Sequence, residues 1–134
     1  MMQTVFDPLR RKEVAATPEE QVRQWFIGVL LEACGVPRHL MMSEASLKLG
    51  GKNMRADILV YDRSGAPLAV VECKRPDVSV DADVAAQAIR YNSILNVRWL
   101  LLTNGTRTLV FRRNEDKFLP CSELPKYEEM LCLQ

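Results

Sequence analysis

An acid and a base stand two residues apart at the end of an apolar segment, in the stretch Val70-Val71-Glu72-Cys73-Lys74. Successive side chains of a strand point to opposite faces, so an extended backbone would place Glu72 and Lys74 on one face and Cys73 on the other. Mg²⁺ prefers carboxylate oxygens and water, and a lone ammonium is a suitable point charge beside an anionic phosphate. The pair therefore predicts metal-assisted phosphate chemistry, if a second carboxylate lies nearby.

A hairpin supplies that second carboxylate. The segments Arg55–Tyr61 and Leu68–Cys73 are rich in Val, Ile and Leu and are separated by the turn residues of Asp62–Pro67, which predicts two antiparallel strands. If the loop is Arg63–Ala66, Asp62 faces Pro67, and counting pairs back from the turn places Asp57 opposite Glu72.

Opposed residues of a hairpin have Cβ atoms about 4.5–5.5 Å apart, so Asp57 and Glu72 would be close enough to share a divalent cation. Without a cation, like charges in this position repel each other. The alternative is a surface ladder in which Lys74 pairs with an acid and Asp57 is solvated. A second match to the same spacing, Glu115-x-Lys117, lies in a polar stretch and is interpreted as solvated surface.

Two helices would position these strands. Thr17-Pro18-Glu19-Glu20 has the pattern of a capping box, and the apolar residues that follow recur at three- and four-residue spacing until Gly35. A second helix is predicted over Asp81–Leu95, and it places Gln87 and Tyr91 four residues apart on one face.

Further strands are predicted at Leu40–Leu49, Val97–Thr103 and Thr108–Arg113, with a short helix in Leu124–Leu133. The element order is then α-β-β-β-α-β-β-α. Glu44, in the first of these strands, would lie close to the proposed site and could assist it. The core is predicted to contain Cys73 and Cys34, the latter against the first helix.

The composition is that of one soluble globular domain covering residues 1–134. The chain has 18 Lys and Arg against 17 Asp and Glu, a net charge of +1, so nucleic acid would have to be bound by a local patch. Its four cysteines form no C-x-x-C pair, and the single histidine, His39, is expected on the surface, which makes a zinc site improbable. We expect a cytoplasmic protein without a secretory signal or membrane span.

Taken together, the motifs resemble the PD-(D/E)xK nuclease superfamily. More closely, several short stretches resemble the N-terminal nuclease domain of type I restriction enzyme R subunits over about Leu9 to Arg113: Thr17–Glu20 with Val22-Arg23, Arg55–Ile58, Val71–Lys74, Gln87–Asn92 and Thr103–Gly105. The resemblance implies an α/β fold with a restriction endonuclease-like αβββαβ core, about residues 17–113, in which helices flank a mixed central sheet. It also implies Mg²⁺-dependent cleavage of DNA phosphodiester bonds, with Mn²⁺ as a possible substitute.

Carried over by position, the resemblance makes Asp57 and Glu72 metal ligands, with the backbone carbonyl of Cys73 as a possible third. Lys74 would orient the attacking water or help to deprotonate it, and would stabilise the developing charge.

Three further residues acquire roles from the same resemblance. Glu20 would be an outer or second-metal ligand, although a capping-box role is equally compatible with its position. Gln87 and Tyr91 would brace the site and contact the DNA strand.

The sequence departs from the superfamily pattern in having Ala56 where the proline of the motif's name stands, a position that supplies no ligand. It also contains no G-x-x-x-x-G-K-[ST] loop, so no ATP motor is expected in it. The sequence has no long basic run, the nearest being Arg10-Arg11-Lys12, so DNA binding is expected to depend on a homodimer or on a partner protein that supplies specificity. A catalytically inactive relative, acting as a nucleic-acid-binding or assembly module, is the alternative.

Overall fold

The computed structural model describes residues 3–49 and 51–132. Its helices are α1 (Pro18–Glu32), α2 (Ala82–Asn92) and the single turn α3 (Tyr127–Met130). Its strands are β1 (Thr4–Asp7), β2 (Lys12–Ala15), β3 (Met41–Leu49), β4 (Lys52–Tyr61), β5 (Pro67–Cys73), β6 (Trp99–Thr103), β7 (Thr108–Asn114) and β8 (Lys117–Cys121). The predicted terminal helix is thus reduced to α3, and its last predicted residue, Leu133, lies outside the described residues.

The main sheet has the strand order β3-β4-β5-β6-β7-β8. Strands β5 and β6 run parallel, and the other neighbouring strands run antiparallel. The sequence from α1 through β3, β4, β5 and α2 to β6 confirms the predicted αβββαβ core in a mixed sheet. In the described part of the chain, no helix is both long enough and apolar enough to cross a membrane.

Helices cover both faces of this sheet. On one face, Phe26 and Leu30 of α1 and Met130 of α3 pack in a cluster that includes Val71 of β5. On the other face, α2 packs through small side chains, Ala85 and Ala88 among them. Strand β6 is buried along its whole length, as expected for a strand covered on both faces. The carboxyl end of β5 therefore lies between two layers of helices.

The β4–β5 hairpin has the predicted register near the site but not at the turn. Ile58 pairs with Val71, as predicted, whereas Tyr61 rather than Asp62 faces Pro67. The backbone N–H of Asp62 donates to the Ala66 carbonyl, which leaves a turn of three residues, Arg63–Gly65, one residue shorter than the predicted loop. Gly65 has a φ of 89°, which suits such a turn. A bulge between Val60 and Tyr61 restores the register beyond it.

The first helix begins as predicted, since the Thr17 hydroxyl accepts a hydrogen bond from the backbone N–H of Glu20. The other half of the capping box was predicted wrongly. The backbone N–H of Thr17 donates to Ala15, and the Glu20 carboxylate is turned toward arginine side chains. The hairpin β1–β2 and the edge strand β8 were not predicted, because segments of four or five residues are too short to show an extended apolar periodicity.

Candidate active site

The acid and base of the Glu-x-Lys motif lie at the end of β5 beside a surface cleft. Lys74 Nζ lies 4.0 Å from Glu72 Oε2, and the Glu72 side chain is 15% exposed. The cleft has a volume of about 390 Å³, and it is lined by Glu72, Lys74, Val84, Gln87, Ala88 and Tyr91. The structure thus brings together the motif of β5 and the predicted polar pair of α2.

One oxygen of Glu72 is hydrogen-bonded within the protein. The side-chain amide nitrogen of Asn92, at the end of α2, donates to Glu72 Oε1 over 2.8 Å. No described residue donates a hydrogen bond to Oε2, whose charged neighbour is Lys74. The carboxylate therefore presents one oxygen on the same side as the ammonium.

The two carboxylate oxygens of Asp57 also differ in their contacts, since only one of them accepts a hydrogen bond from a described residue. The regular pairing of β4 with β5 stops at Ile58 and Val71, so the predicted pair of Asp57 with Glu72 lies one step beyond the paired residues. Instead, Asp57 Oδ2 accepts the backbone N–H of Cys73 over 2.7 Å. Its other oxygen, Oδ1, lies 3.8 Å from Arg23 Nη2. Asp57 is therefore joined to the end of β5, although it is not one of the residues that line the cleft.

Burial raises the pKa of Asp57, and Glu44 acts in the same direction. The Cys73 N–H and the charges of Arg23 and Lys74 oppose this shift without cancelling it. An ionised Asp57 is consequently less stable in the folded protein than in water, and an added cation would relieve that penalty. Cys73 itself points into the core, where burial raises the pKa of its thiol, so it is not a nucleophile.

A second group of charges adjoins Asp57. We call it the arginine–carboxylate cluster, and it consists of Asp7, Arg10, Glu20, Arg23, Glu44 and Asp57. Arg10, on the turn between β1 and β2, forms ion pairs with Asp7 and with Glu20, the latter at 2.7 Å. Its guanidinium also lies 3.5 Å from Glu44. These ion pairs connect the β1–β2 hairpin to α1 through Glu20 and to β3 through Glu44.

Arg23 is the centre of this cluster. It is 4% exposed, and its guanidinium lies 3.5 Å from Glu20, 3.4 Å from Glu44 and 3.8 Å from Asp57. Glu20 also accepts a hydrogen bond from Gln24 over 2.9 Å. Glu20 therefore reaches the neighbourhood of Asp57, as predicted, but arginine lies between the two carboxylates.

Glu44 stands at an irregular point of β3, where its φ is 53°. The pairs on either side of it are regular, Ser43 with Ile58 and Ala45 with Ala56. A non-glycine residue in the left-handed region is uncommon and occurs most often where a side chain is aimed for a purpose. Here the geometry turns the carboxylate toward the arginines, consistent with the predicted proximity of Glu44 to the site.

The two polar residues of α2 differ in their contacts. Tyr91 Oη accepts the backbone N–H of Arg55 over 3.2 Å, at a part of β4 beyond its pairing with β5. Gln87 is exposed at the cleft. Tyr91 thus attaches the helix to β4, whereas Gln87 presents an amide toward any molecule in the cleft.

The donor set suits a magnesium ion that keeps part of its water shell. Within residues 3–49 and 51–132, no three His, Cys, Asp or Glu side chains are grouped so that they could hold a metal by themselves. Mg²⁺ is usually bound by only one or two carboxylates, with waters completing the octahedron. Asp57 and Glu72 each have one oxygen without a hydrogen bond from a described residue, so each has an oxygen that could bind such an ion.

Sequence reasoning missed several residues of this site, namely Asp7, Arg10, Arg23 as a buried cation, and Asn92. For two of them a signal was present. Arg23 falls between Val22 and Phe26 on a largely apolar helix face, and Asn92 follows Tyr91 one turn after Ala88. The remaining two depended on the β1–β2 hairpin.

Solved structures confirm the fold. A fragment described as belonging to an HsdR subunit of a type I restriction enzyme from Vibrio vulnificus YJ016 aligns with a TM-score of 0.63 and 23% identity. The alignment covers 85% of this chain and 24% of that one, so the chain spans about a quarter of the fragment. A protein from Anabaena variabilis ATCC 29413, described as a DUF820 nuclease, aligns with a TM-score of 0.51 and 15% identity over 84% and 73% of the two chains.

No curated protein matches the chain. Among sequence families, the one described as type I restriction enzyme R protein N terminus (HSDR_N) matches residues 18–125. The matched region runs from the first residue of α1 to just before α3 and includes the residues around the cleft and Asp57. The chain therefore belongs to the type I restriction enzyme R protein N-terminal family.

Proposed function

We propose that this domain is a Mg²⁺-dependent endonuclease that hydrolyses DNA phosphodiester bonds. The observation that carries the proposal is the arrangement at the end of β5. Glu72 and Lys74 face one cleft 4.0 Å apart, and Asp57 is hydrogen-bonded to the residue between them. Two carboxylates can hold a metal ion, and one ammonium can stabilise negative charge on a phosphate, so these side chains suit metal-assisted attack on a phosphate.

In this proposal Asp57 and Glu72 hold the cation through their unbonded oxygens, with the backbone carbonyl of Cys73 as a third donor. The bound metal supplies charge neutralisation and a more acidic water. Lys74 holds that water or the anionic phosphate at the cleft, and stabilises negative charge as it develops.

The other predicted residues support this chemistry from further away. Gln87 and Tyr91 border the cleft and contact the DNA strand in it. Glu20 influences Asp57 through Arg23, and a role for Glu20 as an outer or second-metal ligand requires one of its arginine contacts to be exchanged for the metal.

DNA choice is proposed to come from outside this domain. The net charge of +1 provides little nonspecific affinity for DNA. The chain spans about a quarter of the Vibrio fragment, which leaves the remaining parts of such a subunit, a second copy or a partner protein to supply specificity. We propose that the protein works in the cytoplasm and that its nuclease step uses no ATP.

The test is cleavage of supercoiled plasmid and of single-stranded, duplex and branched DNA in Mg²⁺ or Mn²⁺. Wild-type protein should cleave, and Lys74→Ala should lower the rate by about 10²–10³-fold, the effect of losing one charge-stabilising group. Lys117→Ala is the matched control, because it removes the lysine of an exposed Glu-x-Lys on the β7–β8 turn. Equal rates for wild type and Lys74→Ala would contradict the proposal.

A non-catalytic module is the second candidate, and one observation favours it. Arg23 already lies beside Glu20 and Asp57, so the protein supplies part of the countercharge that a metal would provide. Binding of DNA in Ca²⁺, without cleavage in Mg²⁺ or Mn²⁺, would select this candidate over the nuclease.

A further inference from the structure

Asn92 is a fully buried polar side chain that contacts Glu72 at the cleft. It is 0% exposed, and its amide nitrogen donates both to Glu72 Oε1 and to the Ala88 carbonyl, each over 2.8 Å. A carboxylate and a carbonyl only accept hydrogen bonds, so the amide must point its NH₂ group toward both of them. Its orientation is therefore determined by its surroundings.

This orientation leaves the other end of the amide without a partner. Asn92 Oδ1 is buried, and no described residue donates a hydrogen bond to it. A buried acceptor without a partner is destabilising, and this cost offsets part of what the two donated hydrogen bonds contribute to the fold. The amide is therefore used on its donor side, and the charged partner on that side is Glu72.

We infer that Asn92 is a positioning residue that fixes the Glu72 carboxylate for cation binding; this inference rests on the proposed function. With Oε1 held by the amide, Oε2 is directed to the side of Lys74 and the cleft. Without the amide, the Glu72 carboxylate could rotate about its terminal bonds, because no other described side chain donates a hydrogen bond to it.

The neighbouring residue of α2 performs a related task on the other acidic strand. Tyr91 accepts the backbone N–H of Arg55, two residues from Asp57, while Asn92 binds Glu72 on β5. Consecutive residues at the end of one helix thus attach to β4 and to β5. The last turn of α2 therefore holds in place both strands that carry the proposed metal ligands.

The test compares Asn92→Ala and Asn92→Leu with wild type in two measurements, the dissociation constant for Mn²⁺ and a metal-free crystal structure. Residues that hold metal ligands in place typically change metal affinity by about 10–100-fold when removed. We expect both variants to bind Mn²⁺ that much more weakly, and the Glu72 carboxylate to leave its wild-type position. Asn92→Leu is close to asparagine in shape but has no hydrogen-bond donor and no charge, and it decides the question if Asn92→Ala does not fold.

Ser93→Ala is the matched control. Its hydroxyl donates to the Arg90 carbonyl over 2.9 Å in the same last turn of α2, but the residue does not touch Glu72. This variant should keep wild-type Mn²⁺ affinity. An Asn92 variant with Glu72 unmoved and Mn²⁺ affinity within twofold of wild type would overturn the inference. Absence of Mn²⁺ binding by wild type would overturn the proposed function instead, and the metal-free position of Glu72 would still decide whether Asn92 holds it.

Discussion

Arg10→Met tests whether the β1–β2 hairpin is held to the rest of the domain by buried ion pairs. Arg10 pairs with Asp7, which is 0% exposed, and with Glu20, which is 7% exposed. Methionine keeps an apolar stem of similar length but has no guanidinium. The variant therefore leaves two buried carboxylates without one of their cationic partners.

The expected loss of folding free energy depends on which hydrogen bonds and ion pairs each carboxylate keeps in the Arg10→Met variant. Asp7 keeps the backbone N–H groups of Leu9 and Arg10 on Oδ1, but Oδ2 loses its arginine. Glu20 keeps Gln24. Removing one partner of a buried ion pair destabilises by about 3–5 kcal/mol, and these remaining contacts place the expected loss near the lower end, about 3 kcal/mol.

The loss should also depend on pH. Burial raises the pKa of Asp7, but hydrogen bonds from the Arg10 side chain and from the backbone of Arg10 and Leu9 outweigh it, so the net pKa lies below the ordinary value of 3.8. A depressed carboxyl pKa stabilises the fold above the unfolded pKa, and this contribution disappears as the pH falls through the folded pKa. The difference in stability between wild type and Arg10→Met should therefore shrink as the pH falls from 3.8 toward the lower, folded pKa of Asp7.

Urea unfolding at pH 7 and at pH 3.5 measures both effects. A domain of 134 residues has a total stability of about 7–20 kcal/mol, so the variant should remain folded at neutral pH. Arg11→Met is the control, because Arg11 is exposed on the same turn, and it should change stability by less than about 0.5 kcal/mol. A loss below about 1 kcal/mol for Arg10→Met at pH 7 would refute this view of the hairpin.

Three smaller effects follow from the site. Because the pKa of Asp57 is raised, the stability of the wild-type fold falls as the pH rises through that pKa. The metal-free Asp57→Asn variant should therefore be more stable than wild type at pH 7, by about 1 kcal/mol or less. A urea titration that finds the variant less stable would contradict this. Tyr91→Phe removes the acceptor for the Arg55 N–H and should destabilise by about 0.5 kcal/mol in the same assay. Iodoacetamide should alkylate the exposed Cys132 of the native protein at least about 100-fold faster than the buried Cys73. Mass spectrometry measures the two alkylation rates, and comparable rates would contradict the burial of Cys73.

The central elements of the fold were predictable because their signals are local. Apolar periodicity located α1, α2 and the inner strands, and the Thr17 cap marked the first residue of α1. The pairing of Ile58 with Val71 was predicted from an incorrect turn, and it is right because the bulge after Val60 compensates for the shorter loop. A bulge depends on side-chain packing in the sheet, which sequence spacing does not report.

Sequence spacing indicated the acids and the base of the candidate site but not the side chains that contact them. Spacing along β5 and α2 indicated which residues share a face. By contrast, Arg10 reaches Glu20 only because an unpredicted hairpin folds over α1, and Arg23 is buried only because three carboxylates surround it. Such contacts depend on tertiary packing between distant segments, and a single sequence contains no local pattern for them.

The most direct test of the proposed function is a crystal structure of the protein soaked in Mn²⁺, with anomalous diffraction to locate the metal. The account predicts one peak within bonding distance of Asp57 and Glu72, on the side of Lys74, which is lost in Glu72→Gln crystals. Ordered Asp57 and Glu72 side chains with no manganese between them at saturating Mn²⁺, and Arg23 still beside Asp57, would contradict it.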